Sequence, residues 1–74
     1  MRVIPLDINQ ITYIYNVFEE PNVQELCSNN SWYNQFGEGV KYDLLRKGVI
    51  TQAQLYQVKK ISDLAGLSWR LLII

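Results

Sequence analysis

The stretch Lys47-Gly48-Val49-Ile50-Thr51 stops one helix and starts another, and the rest of the chain has to fold around that stop. Leu44-Leu45-Arg46-Lys47 reads as the last turn of a helix, with Arg46 and Lys47 at the negative end of its dipole. Gly48 takes the left-handed conformation that ends a helix without a side-chain clash. Thr51 reads as an N-cap, its hydroxyl accepting from an amide in the next turn. Val49 and Ile50 are too apolar to be loop filler and are expected to plug the space between the two helices. A helix-turn-helix hairpin is therefore predicted over residues 40–65, with Gly48, Val49, Ile50 and Thr51 as its structural corner.

Before the corner, Arg2-Val3-Ile4-Pro5-Leu6 reads as extended: it is β-branched, and Pro5 forbids a helix through this point. Asp7 with Gln10 makes a capping box. Ile8, Ile11, Ile14, Tyr15 and Phe18 then fit one face of a helix to Glu19, although Ile11 to Tyr15 is rich in strand-favouring residues. Pro21 ends that helix and suits the first turn of another, running to about Ser28 with Val23, Leu26 and Cys27 on one side. Asn29-Asn30-Ser31 reads as a turn with Ser31 as the next cap. Trp32, Phe36, Val40 and Leu44 repeat every four residues as a core stripe. Gly37 and Gly39 interrupt it, leaving open one long helix with a weak middle or two shorter ones.

After the corner, Leu55, Val58, Ile61 and Leu64 form the inward face of the last clear helix, with Gln54, Gln57, Lys60 and Asp63 outward. Lys59 and Asp63 are spaced to pair across one turn. Gly66 ends the helix. Leu67 to Ile74 reads as a docked tail or as a strand, and a strand there would pair with Val3 to Leu6 and join the termini. The predicted fold is a mainly α, single-domain helical bundle over residues 1–74, with a short two-stranded pairing of the N- and C-terminal segments as the expected addition.

A chain of 74 residues buries only about 60% of its unfolded surface, so it leans on a disulfide, a metal, a partner or an unusually good core. One cysteine excludes an internal disulfide, and the absence of histidine excludes His-containing zinc sites; no metal and no cofactor are expected. With 49% hydrophobic and 12% aromatic residues, a dense core and a surplus of apolar surface are expected. The net charge of zero is split. Residues 1–40 carry one arginine against five carboxylates, a net −4, and residues 41–74 carry six cations against two carboxylates, a net +4. That split reads either as two halves compensating each other or as a polarised docking surface.

Catalysis finds little support. Without histidine the usual general base and every Cys-His or Ser-His pair are missing. Cys27 has no cation beside it in sequence and reads as a buried structural thiol. Glu19, Glu20 and Glu25 read as a solvated helix end around Pro21. Gly37-Glu38-Gly39 lacks the spacing of a phosphate loop. No catalytic residues are assigned and the protein is read as non-enzymatic. The hairpin does invite a nucleic-acid reading, in which Gln52 to Lys60 of the 52–65 helix would meet bases and phosphates. A pI near 6.1 weighs against it. Trp69 with Arg70, joined by Tyr56, Lys59 and Lys60, is the expected protein-binding set, because Trp, Tyr and Arg dominate interface energies.

Leu44-Leu45-Arg46-Lys47-Gly48-Val49-Ile50-Thr51-Gln52-Ala53-Gln54-Leu55 resembles the short helical hairpin of the SHOCT family, LL-x-x-G-h-I-T-x-x-x-h. It departs from that pattern after the threonine, where Gln and Ala replace the usual glutamates. The small size, the Asn-, Gln-, Ile- and Tyr-rich style and the missing catalytic set are of a type with small phage and mobile-element proteins. The expected function is a protein-binding module that inhibits or modifies a host protein. The alternatives are a small nucleic-acid-binding regulator and an oligomeric assembly subunit. The expected partner is another protein, with a homodimer as a further form. No apolar run approaches the ~20 residues of a membrane span, and Met1 to Pro5 lacks a signal-peptide core, so a cytoplasmic location is expected.

Overall fold

Asp7 opens the first helix as its spacing with Gln10 requires. Its carboxylate accepts from the Gln10 backbone N–H at 2.8 Å, and the Gln10 side-chain oxygen accepts from the Asp7 N–H at 2.9 Å. The computed structural model describes residues 2–71, as β1 (Val3–Pro5), α1 (Ile8–Glu19), α2 (Pro21–Ser28), α3 (Ser31–Lys47), β2 (Val49–Thr51) and α4 (Gln52–Leu64). The architecture is a small mainly α domain, four helices around one core, with a two-stranded antiparallel sheet at one end. Among the described residues no helix is long and apolar enough to cross a membrane.

The β1 partner is the corner, not the C-terminal segment. Val3, Ile4 and Pro5 pair antiparallel with Thr51, Ile50 and Val49. The Leu6 N–H donates to the Gly48 carbonyl at 2.9 Å, and the Gln52 N–H donates to the Arg2 carbonyl at 3.1 Å. The reason lies in Gly48. Its φ of 64° turns the chain sharply out of α3, and its N–H donates to the Asp43 and Leu44 carbonyls, closing the helix. Val49 to Thr51 therefore leaves extended, and Ile4 and Ile50, opposite each other, both point into the core. The predicted plug is thus a strand: Ile50 is buried and Val49 half-buried. Residues 67–71 carry no strand, and residues 72–74 of the predicted pairing lie outside the described residues.

Contacts along α1 and α3 show them running antiparallel. Ile11 lies by Gly48, the Tyr15 ring lies 5.8 Å from Lys41 Nζ, and Phe18 lies against Gly37. At α4 the Thr51–Gln54 capping box is complete. The Gln54 amide goes further and donates to Asp43 Oδ2 at 3.3 Å, tying the start of α4 to α3. At the other end Asn22 Nδ2 donates to the Ala65 carbonyl at 3.2 Å, tying α2 to the end of α4. Pro21 does start α2, but α3 is capped by Asn30, whose side chain accepts from the Trp32 and Tyr33 N–H groups; Ser31 is the first helical residue. A cap needs extended backbone with its oxygen turned over the next turn, and Asn30 has it at φ −144°, ψ 108°.

Several apolar positions face differently from the sequence pattern. Ile8 is 72% exposed because α1 begins about a turn beyond the end of α3, where nothing packs on it; Val17 joins Ile14 and Phe18 inside instead. Leu64 is exposed and Ser62 takes the inward place. Helix α3 is continuous through both glycines. Gly37 is buried, and a Cβ there would sit 3.2 Å from the Phe18 ring, whereas one at Gly39 would meet nothing within 4 Å. Gly39→Ala is therefore expected to raise stability by about 0.5–1 kcal/mol through helix propensity. Gly37→Ala is expected to forfeit that gain against Phe18. Urea denaturation of the two variants side by side checks the difference.

Candidate functional site: an aromatic groove between two helices

Trp32 and Phe36 lie one turn apart on α3 with their rings parallel, 2° between planes and 5.4 Å between centroids. Trp32 was expected in the core; it is 54% exposed, and Phe36 is only half-buried. The cause is the helix period. A repeat of four residues overshoots a full turn by about 40°, so a stripe anchored at Leu44 has rotated well off the core by Trp32. The positions that stay inward are Val40, Gly37 and, in part, Tyr33. The displaced aromatics form one wall of an open groove. The first turns of α4 supply the other, with Tyr56 at 66% exposure, Ala53, Gln52 and Gln57. Arg2 and Asp43 add one cation and one carboxylate.

The predicted binding set divides between two places. Tyr56 lines this groove. Trp69 and Lys59 meet elsewhere, where the tail docks on α1 and α4. The Trp69 ring packs edge-on against Tyr13 at 5.3 Å, with Lys59 Nζ 5.9 Å from its centroid. The Tyr13 hydroxyl donates to the Ser68 carbonyl at 3.3 Å and accepts from the Arg70 N–H at 2.9 Å. Lys59 thus faces Trp69, and the predicted pair with Asp63 is not formed; among the described residues the ion pair is Lys41 with Glu38, 3.6 Å apart on α3. Lys60 is exposed on α4. Gly48 to Thr51 sit at the sheet, below the groove, with Thr51 on its edge. The Trp69 Nε1 is buried with no acceptor among the described residues, so ring packing holds the tail rather than an indole hydrogen bond.

Two other concavities are less suited to a partner. One lies under the tail, between Tyr13, Asn16, Glu20, Ser62 and Arg70. The other lies beside Cys27, Gly37 and Lys41. Burial pushes the Cys27 thiol above its ordinary range, Lys41 pulls it back in part and Glu38 adds to the rise. The thiol is therefore protonated and a poor nucleophile at neutral pH. Its Sγ lies 3.8 Å from the Tyr33 carbonyl, linking the end of α2 to the start of α3.

Comparison with protein-family models, with curated proteins and with solved structures finds no match. The SHOCT likeness accordingly rests on the capped Gly-h-h-Thr corner alone, which the structure explains as a helix stop that feeds a strand.

Proposed function

We propose that this chain is a non-enzymatic protein-binding module that works through the α3–α4 groove. One observation carries the reading: Trp32 and Tyr56, two large aromatic side chains, are exposed on the two helices that line one groove, with the half-buried Phe36 stacked on Trp32. Aromatic residues left in water cost solubility and give the fold nothing, whereas at an interface they supply most of the binding energy. The groove floor is built from residues already fixed by the capping box and by the Asp43–Gln54 bond, so it is preorganised and loses little entropy on binding. Inhibition or modification of the bound protein is the activity that suits such a surface.

The test is affinity capture with the intact chain beside Trp32→Ala, Tyr56→Ala and Trp69→Ala. A partner held by the first is expected to be lost or weakened at least ~10-fold by the two groove substitutions, about 1.4 kcal/mol or more. Trp69→Ala is expected to loosen the tail yet keep the partner. Capture that survives both groove substitutions and disappears with Trp69→Ala would move the working surface to the tail.

A further inference from the structure

The concavity under the tail is lined by polar groups that the fold leaves unpaired. Tyr13, Asn16, Val17 and Glu20 follow one another at three- and four-residue steps, so they share one face of α1 and its C-terminal cap. Ser62 of α4 and the tail residues Leu67 and Arg70 line the same cavity, whose volume is about 470 Å³. That size falls within the range of roughly 300–1,000 Å³ that small-molecule sites occupy. Ser62 is 1% exposed, and its hydroxyl has no hydrogen-bond partner among the described residues. A buried hydroxyl left unmet destabilises the fold, so one that lines a cavity points to a polar atom supplied from outside the chain.

The charged groups say what that molecule carries. Glu20 caps the C-terminus of α1, an end with no basic residue in its last turn, where the helix dipole favours a cation. Arg70 enters from the tail, its backbone N–H donating to the Tyr13 hydroxyl at 2.9 Å. Among the described residues the ion pair is Lys41 with Glu38, so Glu20 and Arg70 line one cavity without pairing with each other. The Asn16 amide, which both donates and accepts, has no partner among the described residues either. A molecule with a single charge meets one of the two ions and leaves the other unmet, whereas a small zwitterion meets both. Val17 and Leu67 add apolar surface to the same cavity. We propose that this cavity binds a free α-amino acid with an apolar side chain. Its ammonium meets Glu20, its carboxylate meets Arg70 and accepts from the Ser62 hydroxyl, and its side chain lies on Val17 and Leu67.

The probe is L-leucine, titrated into the intact chain beside isoamylamine, which lacks its carboxylate, and isocaproate, which lacks its ammonium. Amide shifts are followed by heteronuclear NMR. The expected result is saturable shifts at Asn16, Leu67 and Arg70 with leucine and none at Trp32 or Tyr56. Either fragment should bind about fivefold more weakly or worse, having lost one charge contact. Glu20→Gln and Arg70→Gln, both at exposed positions, should each weaken leucine by about two- to fivefold. Ser62→Ala should weaken it by about two- to tenfold, while the urea midpoint of the ligand-free chain does not fall, because an unmet group has been removed. A hydroxyl that serves only the fold would give the reverse, a lower midpoint with unchanged binding, and would overturn its place in the site. No shift up to about 10 mM leucine, the hydroxyl then being met by water alone, overturns the inference. So does a fragment that binds as tightly as leucine, or binding that both charge substitutions leave unchanged. The two charge substitutions keep the test readable if Ser62→Ala fails to fold.

Discussion

Phe18→Ala is expected to unfold most of the protein at 25 °C. Phe18 is 4% exposed and lies where α1 meets α3, its ring against the bare backbone of Gly37. Emptying a buried phenylalanine site costs about 3–5 kcal/mol, the lost transfer energy plus the cavity left behind. A core this small rarely supplies more than about 3–5 kcal/mol in total. Gly37 sharpens the effect, because it has no side chain to move into the space. Far-UV circular dichroism against urea checks this. A midpoint barely below that of the parent chain would mean that the α1–α3 seam closes over the gap. Phe18→Leu, which keeps most of the volume, is expected to remain folded.

Gly48→Val is the second large effect, and its cause is backbone rather than packing. At φ 64° a β-branched residue is strained, and a single residue held there costs about 1–3 kcal/mol. Space is not the issue, since a Cβ at this position would meet Ile11 Cδ1 at an ordinary 3.5 Å. The strain spreads because two structures depend on the same turn: the N–H that closes α3 and the carbonyl that accepts from Leu6. Gly48→Asn is the informative contrast, since asparagine tolerates the left-handed region, and its loss is expected to be clearly smaller. If valine and asparagine cost the same in urea melts, the left-handed turn is not what the position requires. Either variant, where folded, should keep an intact groove, because Gly48 does not line it.

Much of the local structure was legible. The Asp7–Gln10 capping box, the Thr51 cap, the Pro21 restart and the left-handed Gly48 are dictated by residues within a turn of each other, and short-range chemistry places them wherever the chain goes; the Gln54 half of the second box, a residue read as facing outward, emerges only in the structure. Facing was less legible, for a geometrical reason. The α3 stripe was spaced by fours and the α4 stripe by threes, and neither matches 3.6 residues per turn. Each drifts by tens of degrees per step, which is why Trp32 and Leu64 end outside while Gly37 and Ser62 end inside. A glycine and a serine give no hydrophobic signal, so their burial was invisible beforehand.

The same drift decides the candidate site. Tyr56, which the sequence places at a binding surface, stands on the groove, but Trp32 and Phe36 are far from it in sequence and their spacing reads as core, a place that Phe36 keeps only in part and Trp32 does not keep. Trp69 reads from sequence as part of a binding set at the end of a docked tail or strand; Tyr13, which receives it, belongs to α1 and nothing in the tail's own sequence points to it.

By itself, then, the sequence determined where most of the helices start and stop and that the chain turns left-handed at Gly48, while it left open whether residues 31–47 form one helix or two. Those are properties of nearest neighbours: a proline ring, a capping oxygen, a missing Cβ. Only the tertiary structure decided that β1 pairs with the corner, that the tail packs on Tyr13, and that two aromatics from α3 face one from α4 across a groove. These depend on which faces meet when four helices share one core, and that choice is made by the burial of Ile4, Ile14, Val40, Ile50, Val58 and Ile61 together rather than by any residue with its neighbours.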